Sequence, residues 1–143
     1  MKLLPSERLK NIGGRKMTLH FDTNELIQIS FTTSDLGAIL LPWLKKGNIA
    51  AVSTITWSEF CNGPVTNTQK NVISSILSGN IIDFTKPMAE TASFLFNSTG
   101  RRRGSHPDCM IAACAILSGA PLCTKNLKDF NRFVPFGLRL HSF

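Results

Sequence analysis

Acidic side chains are scarce in this chain of 143 residues: nine Asp and Glu stand against sixteen Lys and Arg, giving a formal charge of +7 and a pI of about 9.6. A deficit of acids favours a polyanionic partner such as nucleic acid, although charge alone fits a merely basic soluble protein equally well. Cysteines are few. Cys61, Cys109, Cys114 and Cys123 show no C-x-x-C spacing, no histidine at finger-like distance and apolar neighbours throughout. That argues against a zinc or disulfide framework and for buried free thiols in a reducing cytoplasm. No stretch reaches the roughly 18 apolar residues a membrane helix needs. The opening MKLLPSER has proline and charges where an export signal needs its apolar run, so neither spanning nor export is expected. Internal repeats and low-complexity segments are missing too. With 43% apolar and 17% charged residues, one domain with a substantial core is the expectation.

What is present alternates between strand and helix. Residues 1–16 carry five Lys and Arg, the Gly13-Gly14 pair and little periodicity, and read as a basic arm or lead-in to a single domain over residues 17–143. Residues 18–21 are a β-prone run ending at Asp22, and residues 23–27 turn it into a helix. From Thr33 or Ser34 a helix runs through Trp43 and Lys45 to a stop at Gly47, followed by a strand over residues 49–52. Ser53-Thr54 caps a helix to Cys61 that carries Glu59 among Ile55, Trp57, Phe60 and Cys61, so Glu59 is not on an obviously wet face. An amphipathic helix over residues 66–77, a strand over 81–84 and a helix over 86–97 follow, and the loop after them concentrates Arg101, Arg102 and Arg103.

Ser105, Pro107 and Asp108 have the form of a helix start: a hydroxyl cap, a proline in the first turn and a carboxylate at the positive end of the dipole. Residues 110–117 are uncharged and apolar all round, so this helix is expected to be buried on more than one side before Gly119 ends it. Residues 121–124 read as a buried strand running into the polar loop 125–129. An irregular apolar stretch with Phe133, Val134 and Phe136 leads to a last strand over residues 137–140. This grammar predicts an α/β fold: a three-layer α/β/α domain around a mainly parallel sheet of about four to five strands.

Four acids then fall at strand ends or on apolar helices: Asp22, Glu59, Asp108 and Asp129. Each has a plainer reading, as a cap, a solvent-facing side chain or a turn former. Together they suggest a cluster at one edge of the sheet, where open α/β folds keep ligands. Carboxylates gathered without a cation repel one another, so a cluster argues for a hard divalent metal, and such a metal in a basic protein suits phosphodiester hydrolysis.

The stretches Phe21-Asp22-Thr23-Asn24-Glu25-Leu26-Ile27, Ser53-Thr54-Ile55-Thr56-Trp57-Ser58-Glu59-Phe60 with Gly63, His106-Pro107-Asp108-Cys109-Met110-Ile111-Ala112-Ala113, and Thr124-Lys125-Asn126-Leu127-Lys128-Asp129-Phe130 resemble the successive motifs of a PIN domain. More narrowly they resemble the VapC-like ribonuclease toxins of type II toxin–antitoxin pairs. The resemblance implies a Mg2+- or Mn2+-dependent endoribonuclease with metal ligands at Asp22, Glu59 and Asp108, leaving a 5′-phosphate and a 3′-hydroxyl. It further implies an antitoxin partner, a homodimer and a cytoplasmic setting. Asn126 stands where the family usually has a fourth acid, and Asp129 takes over part of that role. Thr23, Asn24, Thr124 and Asn126 would orient the carboxylates through hydrogen bonds. Arg101, Arg102, Arg103, Lys125 and Lys128 are candidates for the RNA backbone, or for an acidic antitoxin. His106 reads as a helix-entry residue rather than a base.

Other nucleotide chemistries fit poorly. A haloacid-dehalogenase-like phosphatase needs a second aspartate at Asn24, and a dinucleotide fold needs glycines after the first strand, where Asp22-Thr23-Asn24 stands. The remaining competitor is a non-catalytic PIN-like domain that binds RNA or a partner protein, supported by Asn126.

Overall fold

The middle of the sheet is strand β2, Thr18–Phe21, in which Leu19 and Phe21 alternate with His20 and all three are buried. The chain is described here from a computed structural model covering residues 3–4, 16–31 and 33–143. Strands too short to stand alone are joined by helices, most of which begin on hydroxyl or carboxylate caps. Asp22 caps α1 (Thr23–Ser30), Ser34 caps α2 (Asp35–Lys45), and strand β3 (Ile49–Ser53) runs into α3 (Thr54–Asn62), whose cap is Ser53. Thr66 and Gln69 form a reciprocal box at the head of α4 (Asn67–Leu77). Strand β4 (Ile81–Ile82), α5 (Lys86–Ser98), α6 (His106–Ser118), strand β5 (Leu122–Cys123), the short α7 (Leu127–Phe130), a 3-10 turn (Asn131–Phe136) and β6 (Leu140–His141) complete the order.

Every strand pairing is parallel, and the spatial order is β1-β6-β5-β2-β3-β4, where β1 is Leu3–Leu4 beside β6. Five of these strands lie within residues 17–143, so the expected three-layer domain is found. The expected basic arm falls largely outside the described residues. Two apolar cores sandwich the sheet. Leu19, Phe21, Val52 and Cys123 meet Leu26, Leu40, Phe60 and Ile73 from α1 to α4, while Leu122 and Leu140 meet Leu95, Ala112, Ala113 and Phe133 on the α5 and α6 side. Parallel strands covered on both faces read as nearly continuous apolar runs, which is how β3 and β5 appear in the sequence.

The winding places the site. From β2 the chain steps outward through β3 to β4, then returns along α5 and α6 to lay β5 on the other side of β2. The strand order therefore reverses between β2 and β5, and the crevice at their carboxyl ends is where such sheets bind ligands.

Several local expectations give way to other bonds. Ser105 does not cap α6 with its side chain: its backbone is helical and its hydroxyl donates to the Arg102 carbonyl at 2.6 Å, closing the preceding loop instead. The third strand stops at Ile82, because the Phe84 amide leaves the ladder and donates to Thr54 Oγ1 at 3.2 Å. The polar loop after β5 contains α7, and the irregular apolar stretch is the 3-10 turn. Gly137, at φ 108°, closes that turn through the carbonyls of Phe133 and Val134, which delays the last strand to Leu140. All four cysteines are free thiols, three of them buried. Among the described residues no helix is long and apolar enough to cross a membrane.

Helix α6 is buried round most of its girth, with Ala112, Ala113 and Ala115 fully enclosed while Leu117 is 47% exposed. Small side chains let it lie close against its neighbours. Replacing Ala113 by Leu overpacks that contact and should cost about 1–3 kcal/mol in urea unfolding. Leu117→Ala should stay within about 0.5 kcal/mol of the parent.

Candidate active site

Asp22 ends the central strand and sits 4% exposed at the reversal of strand order. One carboxylate oxygen, Oδ1, accepts from the Glu25 amide at 3.0 Å, and the other, Oδ2, accepts from Thr124 Oγ1 at 2.5 Å. The second bond ties the carboxyl end of β2 to the carboxyl end of β5. Thr124 in turn accepts from the Asn126 amide at 2.9 Å, so one hydroxyl orders both the aspartate and the start of the following loop.

The other expected acids approach from three further elements. Glu59, half-buried on α3, accepts from Thr23 Oγ1 of α1 at 2.6 Å. Asp108 stands in the first turn of α6, with its Oδ2 4.0 Å from Arg132 Nη2. Asp129, on α7, accepts from Asn126 Nδ2 at 2.9 Å and lies 3.8 Å from Arg102 Nη1. Asn126 thus holds the acid three residues on.

These carboxylates sense one another. Burial raises the Asp22 carboxyl to about 6; its two hydrogen bonds oppose the rise, and the charges of Glu25 and Asp108 add to it. The Asp108 carboxyl is also raised, first by burial, then by the charges of Asp129 and Glu59, with Arg132 and Arg102 pulling it back. Asp108 is therefore within electrostatic reach of all the other expected acids.

A hard divalent cation fits the chemistry of this group. Its donors are carboxylate oxygens without a thiol or imidazole among them, and a bound cation would offset both the burial and the mutual repulsion that raise Asp22 and Asp108. Among the described residues no three Asp, Glu, His or Cys side chains already enclose one ion position. The two arginine contacts, at 3.8 and 4.0 Å, are loose ion pairs rather than close bidentate ones.

Not every expected residue joins in. Asn24 is exposed in the first turn of α1, and the side chain of Lys125 is exposed while its backbone amide donates to Glu25 Oε1 at 3.0 Å. Arg101, at φ 53°, lies over the Phe96 ring and bonds Asn97. Arg103 and Lys128 are exposed, and His106 is an exposed helix-entry residue stacked edge-on to Phe96.

Two residues escaped the sequence reading. Glu25 is 4% exposed and anchors the loop after β5; its place three residues after Asp22, just before Leu26, was the available signal. Arg132 gave no signal, because its partner Asp108 is distant in the chain. A cleft of about 460 Å3 lined by Lys16, His20, Pro121 and Arg139 lies at the opposite, amino-terminal edge of the sheet and holds no acid.

The PIN domain profile matches residues 20–134, a span that includes all four acids. VapBC2 from Rickettsia felis, bound to a DNA fragment from its promoter, superposes with a TM-score of 0.70 at 26% identity, covering 89% of this chain and 99% of that one. A toxin–antitoxin complex from Klebsiella pneumoniae is 32% identical, with a TM-score of 0.62 over 78% of this chain and 89% of its own. DNA-bound VapBC from Salmonella typhimurium shares the fold at 22% identity, with a TM-score of 0.67 over 88% of this chain and 98% of that one. Curated protein sequences give no match.

The raised Asp22 carboxyl carries a consequence for stability. Its pKa is about 6 in the folded chain against an ordinary 3.8, so ionising it costs folding energy that appears as pH rises through that window. In EDTA at pH 7.5, Asp22→Asn should raise stability by on the order of 2 kcal/mol in urea unfolding. The gain should fade as pH falls from 6 towards 3.8, where the native carboxyl is protonated.

Proposed function

The chain belongs to the PIN-domain family, and on that premise we propose that its carboxylate group makes it a Mg2+- or Mn2+-dependent endoribonuclease, the toxin of a toxin–antitoxin pair. What supports this reading is the hydrogen-bond chain from Asp22 through Thr124 and Asn126 to Asp129, with Glu59 held by Thr23 beside Asp22 and the charge of Asp108 felt at Asp22. Asp22, Glu59 and Asp108 would hold the cation, which when bound lowers the pKa of an attacking water and offsets charge on the phosphoryl group.

The chain's own residues do the rest. Thr124 and the Glu25 amide fix both oxygens of Asp22, and Thr23 fixes Glu59, so neither acid must reorganise when substrate arrives. Asp129, held at Oδ2 by Asn126, is suited to accept the proton released by the attacking water. Arg101, Arg103 and Lys125 on loops and Lys128 on α7 are exposed and supply positive charge for the RNA backbone, in keeping with the net charge of +7.

An antitoxin is the proposed protein partner, because the similar structure from Klebsiella pneumoniae is a toxin–antitoxin complex and that from Rickettsia felis is VapBC2. Phe31, Ile39, Leu41, Phe94 and Leu117 remain exposed and supply apolar surface for that contact and for a homodimer. The cytoplasm, where RNA and such partners meet, is the setting this reading requires.

Incubating the purified chain with total RNA in Mg2+ or Mn2+ should give discrete fragments with 5′-phosphate ends. EDTA should stop the reaction, and Asp22→Asn or Asp108→Asn should slow it at least about 100-fold. If the parent chain binds RNA but cuts none under any of these conditions, the non-catalytic RNA-binding alternative holds instead.

A further inference from the structure

We propose that Arg132 is a further catalytic residue, presenting Nη2 to a non-bridging oxygen of the RNA phosphate that is cut; this rests on the nuclease reading above. Arg132 is the second residue of the 3-10 turn after α7, and its side chain is only 17% exposed. Its guanidinium lies over the Phe133 ring, 4.7 Å from the centroid, and Phe133 is itself fully buried, so the cation rests on a rigid floor. Two of its nitrogens, Nε and Nη1, are buried without a hydrogen-bond partner. The third, Nη2, is the one that reaches the acids, 4.0 Å from Asp108 Oδ2.

Arg132 offsets part of the cost of burying Asp108, but that does not account for the whole placement. Buried donors without partners are unfavourable, and an apolar side chain of similar length would cover Phe133 without them. The contact to Asp108 is too long for a hydrogen bond, so it does not fix that carboxylate as Thr124 fixes Asp22. What the burial achieves is a cation that cannot retreat, aimed at the place where the acids gather. A pre-positioned positive charge acts most strongly where negative charge grows during reaction, as on the phosphoryl oxygens during attack. Arg102 differs: its side chain is 54% exposed beside Asp129, which suits a mobile backbone contact.

A role in holding the metal ligands makes the opposite prediction for metal binding, so the two can be separated. Removing a neighbouring cation cannot weaken divalent binding by electrostatics. Arg132→Met and Arg132→Lys should therefore bind Mn2+, measured by electron paramagnetic resonance, at least as tightly as the parent, and should remain folded, unfolding within a few degrees of it. Their kcat on a defined RNA should fall about 100-fold or more for Met, with KM changed far less, and Lys should recover only part of it because it lacks the planar fork. Unchanged kcat in both variants, or Mn2+ affinity falling in step with kcat, overturns the inference while leaving the nuclease reading intact. A parent chain that cuts no RNA overturns both.

Discussion

Like charges crowded into a poorly solvated place are the constraint around which this molecule is arranged. Asp22 is 4% exposed and still close enough to Glu25 and Asp108 for their charges to raise its carboxyl further. Such a site is unfavourable for the isolated chain, and folds retain such features where function requires them. The surrounding bonds act against that repulsion. Thr124 and the Glu25 amide each donate to one oxygen of Asp22, Thr23 to Glu59 and Asn126 to Asp129. Arg132, largely buried, and Arg102 at the rim add partial neutralisation.

The fold makes this arrangement possible because a parallel sheet sends the carboxyl ends of all its strands to one edge. Reversal of the strand order between β2 and β5 then opens a crevice there, while apolar cores on both faces hold the strands rigid. Each acid arrives with a different job in the local structure. Asp22 caps α1 and Asp108 sits in the first turn of α6, so both also meet the positive end of a helix dipole, which partly offsets the burial of their charge. Capping and chemistry are therefore compatible uses of one aspartate.

Much of this was legible in the sequence, because strand, acid and cap follow one another in the chain. The run from Thr18 to Asp22, the cap at Ser53 and the proline before Asp108 each announce an element boundary through local chemistry. The four acids could be proposed as a group because each followed such a boundary. What stayed hidden depends on contacts between distant segments. Glu25 meets the loop after β5 across 100 positions, and Arg132 meets Asp108 only once α7 and the 3-10 turn have folded back. Ser105 misled for the converse reason: its hydroxyl had a nearer partner in the Arg102 carbonyl than any amide of the helix it precedes. Strand lengths were overestimated where a backbone amide left the ladder for a side chain, as at Phe84.

The account stands on the claim that the acids form one partly buried group around Asp22 whose charge a divalent cation relieves. Titration of the Asp22 carboxyl carbon by nuclear magnetic resonance, first in EDTA and then in excess Mg2+, tests that claim most directly. A midpoint near 6 without metal, moving well down with Mg2+, is the predicted result. A carboxyl that titrates near the ordinary 3.8 and ignores Mg2+ would contradict it.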